Sequence, residues 1–381
     1  MLTNKAHLLF CLLAISSLAL SQGSDYILKQ ETFKEPATII NISPDGQKLL
    51  AGFNNGAFRI LNINTMETEV EVENAHPKAV YALELSPKMD FLLSAGHNSI
   101  KLWNPEGEQI TNWKSHATTI WNVDISKDGK YAVSSEFNKT FRLWDVYKSE
   151  VIEQMRGHED VTMAVAISED SKFIASGSND LSIKIWDIES RQCIKTLHGP
   201  TKDIYDVKFS PDGKLVAAAS KDESVRIYNI ADENLVHLLK GHRDFVIEVE
   251  FSPDGRYLIS ASADQSIALW SVESGERIYT YLENEAALID ISFHPDGSSF
   301  FSSSMDNKIT RWSLDPEIFV LKYFESPYSE EISGNHLFDE RRKSESRKDY
   351  ESRIIRADKK RKEIVDRYYQ LYLERFNQQS P

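Results

Sequence analysis

The sequence predicts an all-β fold built from seven copies of one four-stranded unit, and two observations carry this prediction. First, a turn of the form Ser-Pro-Asp-Gly, or a close variant, recurs along most of the chain. It begins at Ser43, Ser86, Ser126, Ser168, Ser210, Ser252 and His294. From Ser126 onward the spacing is a constant 42 residues, and a fixed period of this kind indicates a repeat architecture. Second, short apolar runs of strand length lie on both sides of the turns.

The fourth unit shows the repeat most fully. Between residues 158 and 187 it contains three apolar runs, VTMAVAI, FIASG and SIKIW, which the turn-forming clusters SEDSK and SND separate. Four polar positions stand out in this unit, and the sixth unit has the same four. They are His158, Ser176, Asp180 and Trp186 in the fourth unit, and His242, Ser260, Asp264 and Trp270 in the sixth.

These two sets match the tetrad of a WD-repeat blade, so the chain resembles the WD-repeat family over residues 25 to 315. The resemblance implies a seven-bladed β-propeller of four-stranded antiparallel blades. In that family the tetrad side chains form one chain of hydrogen bonds inside the blade. The tetrads are therefore interpreted as structural, because buried polar groups need partners.

The other units keep only part of the tetrad. The third unit has Asn138 where Asp is expected, the second has His97 there, and the fifth has Ala218 for the Ser and Tyr228 for the Trp. The first unit has none of the four. Its residues at these positions are Phe33, Ala51, Asn55 and Leu61. We therefore expect blade one to be held by apolar packing and by its neighbours.

The first 21 residues have the pattern of a secretory signal peptide. Lys5 precedes an apolar run from Leu8 to Leu20, and Ala19-Leu20-Ser21 is a small-residue cleavage site before Gln22. The run is short for a transmembrane helix, so no stable membrane insertion is expected after cleavage. This pattern predicts export to a periplasm, the cell exterior or a secretory lumen. The alternatives are an uncleaved anchor, or a start that is not a signal and a cytoplasmic protein.

The propeller is assigned to residues 22–324, and two segments compete to close it. Residues 26–32, YILKQET, align with the outer strand of the repeat, and residues 318–324, IFVLKYF, have a similar apolar character. One of them should complete blade seven and remove its open edge; the sequence leaves the choice open.

A turn-rich linker, residues 325–338, and a charged helical tail, residues 339–381, are predicted to follow. Residues 339–376 contain thirteen Lys or Arg and nine Asp or Glu, a net charge of +4. Val365, Tyr369, Tyr372 and Phe376 recur at helical spacing and lie on one face of the predicted helix. That face either docks on the same chain or binds another protein.

Composition and motifs exclude several functions. The formal net charge of −14 disfavours nucleic acid, since phosphate binding requires clustered Lys and Arg. No sequence motif for phosphate, dinucleotide, zinc or a catalytic nucleophile is present. We therefore predict a protein with no cofactor, no metal and no enzymatic activity.

In the WD-repeat family, partners usually bind at the channel mouth, on the face formed by the loops before the first strands and the turns between second and third strands. The resemblance implies a partner-binding set there. It consists of Tyr81, Trp121, Asn122, Phe137, Met163, Tyr205, Asp206, Glu248, Asp290 and Met305. We expect a monomeric propeller that acts as a scaffold within a complex and binds a protein or peptide with aromatic and basic residues.

The alternative is an exported propeller enzyme or metal-binding propeller that uses carboxylates at the channel. Asp206, Glu248, Asp290 and Asn122 would then supply oxygen ligands for a cation. A last expectation concerns Trp113, which falls in a fourth strand and should be exposed at the rim.

Overall fold

The structure is a computed structural model that describes residues 26–113, 118–339 and 345–377. The strands of this part of the chain form seven four-stranded antiparallel sheets, which confirms the predicted seven-bladed propeller. The chain divides between Ser313 and Leu314 into two compact units. The first unit is the propeller and the second is helical.

Each blade consists of an inner, a second, a third and an outer strand. The inner strands are β2 (Ala37–Ile42), β6 (Ala82–Leu85), β10 (Ile120–Ile125), β14 (Thr162–Ile167), β18 (Ile204–Phe209), β22 (Val246–Phe251) and β26 (Leu288–Phe293). The second strands are β3 (Lys48–Phe53), β7 (Leu92–Gly96), β11 (Tyr131–Glu136), β15 (Phe173–Ser178), β19 (Leu215–Ser220), β23 (Tyr257–Ser262) and β27 (Ser299–Ser304). The third strands are β4 (Phe58–Asn62), β8 (Ser99–Trp103), β12 (Thr140–Asp145), β16 (Ser182–Asp187), β20 (Ser224–Asn229), β24 (Ile267–Ser271) and β28 (Lys308–Ser313).

The outer strands of blades one to six are β5 (Thr68–Val72), β9 (Gln109–Trp113), β13 (Glu150–Arg156), β17 (Gln192–His198), β21 (Leu235–Lys240) and β25 (Arg277–Tyr281). Each inner strand contacts the inner strands of the two neighbouring blades, and β2 contacts β26. The seven inner strands therefore form a closed ring around a channel.

Blade seven is completed by the N-terminal strand β1 (Ile27–Thr32), which pairs antiparallel with β28. This settles the choice between the two candidate closing segments in favour of residues 26–32. Tyr26, just before β1, is buried, and its ring packs edge-on against Tyr279 and Tyr281 of blade six, at 5.3 and 6.4 Å between centroids. The closing strand is thus fixed by backbone pairing and by an aromatic contact with the preceding blade.

The tetrad side chains of blade four are linked by hydrogen bonds. Trp186 Nε1 donates to Ser176 Oγ (2.8 Å), His158 Nε2 lies 2.7 Å from the same oxygen, and His158 Nδ1 lies 2.8 Å from Asp180 Oδ2. Because the carboxylate only accepts, the imidazole donates from Nδ1 to Asp180, and the Ser hydroxyl links the ring to the indole. Blade six repeats this arrangement with His242, Ser260, Asp264 and Trp270.

The blades with incomplete tetrads use other bonds. In blade two, Ser94 Oγ accepts from Trp103 Nε1 and lies 2.8 Å from His76 Nε2. Burial lowers the pKa of His76 to about 4, so this imidazole is neutral at physiological pH. In blade five, the buried guanidinium of Arg226 donates to Asp222 Oδ2 at 2.8 Å. This ion pair replaces the missing His and Ser. His116 of blade three lies outside the described residues.

Blade one is held by apolar packing, as the sequence predicts. Ala51 and Leu61 are fully buried in a cluster with Phe53, and Phe33 packs against it. The guanidinium of Arg59 lies 4.9 Å from the centroid of the Phe53 ring, which adds a cation–π contact.

The expectation that Trp113 is exposed at the rim is wrong. Its side chain is only 3% exposed and belongs to the apolar core between blades two and three. Although β9 is an outer strand, its last residue points inward, where blade three covers it.

The second compact unit contains two helices. α1 spans Pro316–Ser333 and α2 spans Arg347–Asn377. Asp315 caps α1 by accepting from Glu317 N, and Pro316 occupies its first turn, which is a favourable start for a helix. α1 bends at Phe324, three residues before Pro327. A short 3₁₀ turn, His336–Phe338, follows it.

Three expectations for this region need correction. Residues 318–324 are helical and form no strand, most of the predicted linker belongs to α1, and the propeller ends at Ser313. The apolar residues Val320, Phe324, Tyr328 and Ile332 recur every four positions, which is a helical period. Val320 and Tyr328 are buried against Ile364 and Val365 of α2. The apolar face of the tail helix therefore packs on α1; the side chain of Phe376 lies outside the described part.

Candidate functional site at the channel mouth

The mouth is the end of the channel where the inner strands begin and the turns between second and third strands lie. Backbone hydrogen bonds bring these two sets of residues together in most blades. Phe137 N donates to Thr119 O, Asn179 N to Val161 O and Met305 N to Ala287 O, each at 2.9 Å. Residues that the sequence assigns to the mouth from strands and from turns therefore lie at one end of the channel.

A β-bulge near the start of the inner strands falls on three residues that the sequence assigns to the mouth. The pairing of β10, β14 and β18 with their second strands skips Trp121, Met163 and Tyr205. A bulged residue leaves the regular alternation of the strand, and bulges commonly re-aim a side chain. All three side chains are half-buried.

Three of the predicted aromatic residues form one cluster on blades two and three. The ring of Trp121 lies 4.7 Å from Tyr81 and 6.2 Å from Phe137, measured between centroids. Phe137 is 53% exposed. We call Tyr81, Trp121 and Phe137 the aromatic cluster. It combines a packed base with a protruding phenyl ring, so its surface is open to an apolar ligand.

A second aromatic pair lies on blades five and six. Tyr205 and Phe245 have ring centroids 6.2 Å apart, and Lys221 Nζ lies 5.5 Å from the Phe245 ring and 3.0 Å from Asp203 Oδ2. The sequence prediction missed Phe245. Phe245 directly precedes β22, at the position that Val161 occupies in blade four. Comparing the residues that directly precede each inner strand would therefore have identified it. Met305, on blade seven, is 62% exposed.

Several polar atoms around the aromatic cluster are buried and have no hydrogen-bond partner among the described residues. They include the indole Nε1 of Trp121 and the amide oxygens of Asn122 and Asn179. Buried polar groups in native proteins are almost always paired, so these atoms are exceptions within the described part of the chain.

Two of the three predicted carboxylates are buried. Asp206 is 1% exposed and Asp290 3% exposed. Asp290 accepts hydrogen bonds from Ile40 N (2.6 Å) and Ile291 N (2.9 Å), and Asp206 Oδ2 accepts one from Val249 N at 3.2 Å. Neither side chain is therefore exposed to a partner at the mouth. They lie inside the channel and link their own blades to the next.

A second layer of charged residues lies deeper on the inner strands, and the sequence analysis missed it. It comprises Glu84, Asp124, Lys208 and Glu250. Asp124 Oδ2 accepts from Ile167 N (2.6 Å) and Glu250 Oε2 from Phe293 N (2.7 Å). Side chains two residues apart on a strand lie on the same face. Lys208 and Glu250 stand two residues after Asp206 and Glu248, so the sequence contained a signal for this second layer.

Burial raises the pKa of the channel carboxyl groups. It raises the pKa of Glu250 and of Asp290 to about 7, although the charge of Lys208 opposes the shift in both. Burial of Lys208 alone would lower its pKa, but the charges of Asp206, Glu248 and other acids raise it well above the usual value. Lys208 is therefore the permanent cation of the channel.

The alternative cation site formed by Asp206, Glu248, Asp290 and Asn122 does not appear. Within residues 26–113, 118–339 and 345–377, no three acidic, His or Cys side chains meet in the arrangement of a metal site. Lys208 Nζ lies 3.3 Å from Glu248 Oε1 and supplies the positive charge there.

Neither helix of the described chain combines the length and apolar character that a membrane crossing requires. The predicted signal peptide lies outside the described residues.

Comparison with known proteins agrees with this architecture. The family described as WD domain, G-beta repeat matches residues 68–104, 107–145, 149–187, 191–229, 233–271 and 275–313, more than half of the chain. Strands β2, β3 and β4 of blade one, which has no tetrad residue, precede these matches.

Curated relatives are similar over shorter segments. A WD40 repeat-containing protein of Dictyostelium discoideum is 29% identical over 28% of this chain and 17% of its own. Polyadenylation factor subunit 2 of Candida albicans is 25% identical over 31% of this chain and 22% of its own, and TBC1 domain family member 31 of Xenopus laevis is 26% identical over 26% and 9%. The chain thus spans less than a quarter of the length of these relatives. Propellers with such repeats generally serve as scaffolds for protein interaction. The six matched repeats and the seven blades show that this chain belongs to the WD40 repeat family.

Proposed function

We propose that the channel mouth binds a segment of a partner protein through an apolar or aromatic anchor, and that the protein is a scaffold without enzymatic activity. The aromatic cluster carries this proposal. Tyr81 and Phe137 both pack against Trp121, and Phe137 protrudes into solvent. Large rigid aromatic side chains supply most of the binding energy at protein interfaces, and they lose little entropy on binding.

The negative net charge of the protein favours a basic partner, but Asp206 and Asp290 are buried and do not pair with it directly. The net charge of −14 consists of +4 for residues 339–376 and −18 for the residues before them. We infer that Lys or Arg residues beside the anchor are attracted by this overall field and not by direct pairing with Asp206 or Asp290. Such attraction raises the association rate and weakens with salt.

The proposed lack of enzymatic activity is supported by the bonding of the channel acids. Asp124, Glu250 and Asp290 accept backbone hydrogen bonds from the next blade. These bonds give the three carboxylates a structural role, because each one joins its own blade to the next.

The experiment is a peptide-display selection on the full chain, followed by binding kinetics for the selected peptides. Phe137→Ala removes an exposed ring with little effect on folding, and Trp121→Ala removes the centre of the cluster. We expect selected peptides to contain an apolar anchor and to dissociate at least tenfold faster from both variants, which corresponds to about 1.4 kcal/mol. The matched control is Tyr147→Ala, which removes an exposed ring from the turn between β12 and β13. Unchanged dissociation rates for Phe137→Ala and Trp121→Ala would place the binding surface elsewhere.

We also propose that the protein is exported and that cleavage leaves Gln22 at the N-terminus. The support is the order of Lys5, the apolar run from Leu8 to Leu20 and the Ala19-Leu20-Ser21 site. N-terminal sequencing of the protein purified from its native source tests this. A peptide that still begins at Met1 in the soluble fraction would contradict it.

A further inference from the structure

The turn between β11 and β12 of blade three carries Phe137, and a buried ion pair adjoins it. Glu136, the last residue of β11, is 1% exposed. Its Oε1 lies 2.9 Å from Nε of Arg142 on β12, whose side chain is 13% exposed. The guanidinium of Arg142 lies 6.0 Å from the centroid of the Trp144 ring. The ion pair is therefore built into the core of the blade.

The same carboxylate holds the residue that follows Phe137. Its second oxygen, Oε2, accepts a hydrogen bond from Asn138 Nδ2 at 2.9 Å. The amide oxygen of Asn138 accepts from the backbone N–H of Thr140 at 2.8 Å and from its hydroxyl at 2.7 Å. Glu136 and Asn138, which stand on the two sides of Phe137, are therefore both tied to β12.

The backbone of the turn is fixed as well. Phe137 N donates to the carbonyl oxygen of Thr119, directly before β10, at 2.9 Å. The carbonyl oxygen of Asn138 accepts from Thr162 N of blade four at 2.8 Å. The ring of Phe137, which is 53% exposed, thus projects from a turn that is anchored to its own blade and to the next.

Blades four to seven hold the equivalent turn in a simpler way. At the position of Glu136 these blades have Ser178, Ser220, Ser262 and Ser304. In blades four to six the serine hydroxyl accepts a hydrogen bond from the backbone N–H two residues further on. A hydroxyl is therefore enough to hold such a turn, whereas burying an ion pair costs desolvation free energy that the attraction offsets only in part. The ion pair of blade three requires a reason that is particular to its turn.

The turn of blade three differs from the others in the residue that it presents. Phe137 follows Glu136, and at this position blades four to seven have Asn179, Lys221, Ala263 and Met305. Phe137 is thus the one aromatic residue of this set, and its ring centroid lies 6.2 Å from that of Trp121. An exposed ring on a turn that is free to move has to be ordered when a ligand binds, and this ordering weakens binding. A ring that is already fixed avoids that cost.

We propose that Glu136 is a positioning residue of the mouth, which fixes Phe137 before a partner segment arrives. Glu136 acts through its bonds to Arg142 and Asn138, and its burial keeps it out of contact with the ligand. The inference rests on the proposed binding role of the aromatic cluster. Because the ring is held in one place, the cluster selects a partner segment whose apolar anchor fits that fixed surface.

Hydrogen exchange on the full chain tests the positioning without any ligand. Glu136→Gln keeps the size of the side chain but removes the charge that pairs with Arg142. We expect the Phe137 N–H to exchange roughly threefold faster or more in this variant, because the turn opens more often. Asn138→Ala leaves the ion pair in place, breaks the other link to the turn and should act in the same direction. The matched control is Asp222→Asn, which alters the buried ion pair of blade five and should leave exchange at Phe137 unchanged.

Binding kinetics test whether the positioning serves recognition. The probe is the peptide from the display selection that dissociates most slowly from the wild type. We expect it to dissociate roughly three- to tenfold faster from Glu136→Gln and from Asn138→Ala, because the ring must then be ordered on binding. In the Phe137→Ala background, Glu136→Gln should have no further effect, since it acts through that ring. Asp222→Asn should leave the dissociation rate unchanged.

The outcomes separate this inference from the proposed function. If Phe137→Ala speeds dissociation but Glu136→Gln and Asn138→Ala do not, the cluster binds the peptide and the positioning role is wrong. Unchanged exchange at Phe137 in both variants also overturns it. An equal effect of Glu136→Gln with and without the Phe137 ring would show a general structural role and overturn it too. If Phe137→Ala itself leaves dissociation unchanged, the proposed binding surface is wrong, and this inference falls with it.

Discussion

Trp113 stacks on Trp144 with the ring centroids 4.8 Å apart and the planes inclined by 18°. Trp113 ends the outer strand of blade two, and Trp144 occupies the tetrad position of blade three, where its Nε1 donates to Ser134 Oγ. The pair therefore joins blades two and three, although Trp113 belongs to the outer strand of its own blade.

We predict that Trp113→Ala destabilises the propeller about as much as Trp186→Ala does, by about 3–5 kcal/mol. Both changes remove a buried indole from a well-packed core. The free energy of unfolding from urea titration tests this, with Tyr147→Ala, which truncates a residue 63% exposed, as the control. A loss at Trp113 no larger than the loss at Tyr147 would contradict the stacking role.

The ion pair of blade five predicts strong coupling between its members. Arg226→Ala should cost about 3–5 kcal/mol, because it leaves the buried carboxylate of Asp222 without a counter-charge. The double variant Asp222→Ala/Arg226→Ala should cost clearly less than the sum of the two single changes. A double-mutant cycle on unfolding free energies measures the difference.

The exposed pair of Asp170 and Lys172, 3.3 Å apart, is the control and should couple by less than about 1 kcal/mol. Additive effects at Asp222 and Arg226 would show that the pair does not replace the tetrad.

Removal of the closing strand should open the ring. A chain that lacks residues 1–32 leaves β28 with an unpaired edge, and such an edge associates readily with other strands. We expect a lower Tm and an increase in oligomers by light scattering, relative to a chain that lacks only residues 1–25. Tyr26→Ala should lower the Tm in the same direction but by less, since it removes the contact with Tyr279 and Tyr281 while β1 stays paired. Identical Tm values and masses for the two truncated chains would contradict the role of β1.

The helical unit predicts where the chain can be shortened. A chain that ends at residue 338 keeps α1 without α2, so Val320 and Tyr328 lose their cover and the protein should self-associate. A chain that ends at Ser313 removes both helices together and should keep the cooperative unfolding transition of the propeller. Size-exclusion chromatography and thermal unfolding of the two chains test this. The opposite order of solubility would show that α1 does not depend on α2.

Much of the aromatic part of the mouth could be predicted from the sequence, because the repeat register assigns each residue to a strand start or a turn. The register assigns Trp121 to a strand start and Phe137 to a turn, and in the structure the two rings lie 6.2 Å apart. Phe245 was missed because it stands one residue before the strand, where other blades have Val161 or Thr119. The carboxylates were assigned to the right strands, but their depth was not predictable, since it depends on the backbone N–H groups that the next blade presents.

The sequence by itself determined the seven-fold repeat, the order of strands and the two complete tetrads. These features are local, and each is contained within about one repeat length. Only the tertiary structure decided that β1 and not residues 318–324 closes the ring, that Trp113 is buried, that Arg226 replaces a tetrad, and that Asp206 and Asp290 face inward. The physical reason is common to the last three: whether a side chain is buried, and what satisfies it, depends on atoms placed against it from other strands and blades. The contact between Asp290 and Ile40 N, from the two ends of the propeller sequence, exists only after the ring has closed.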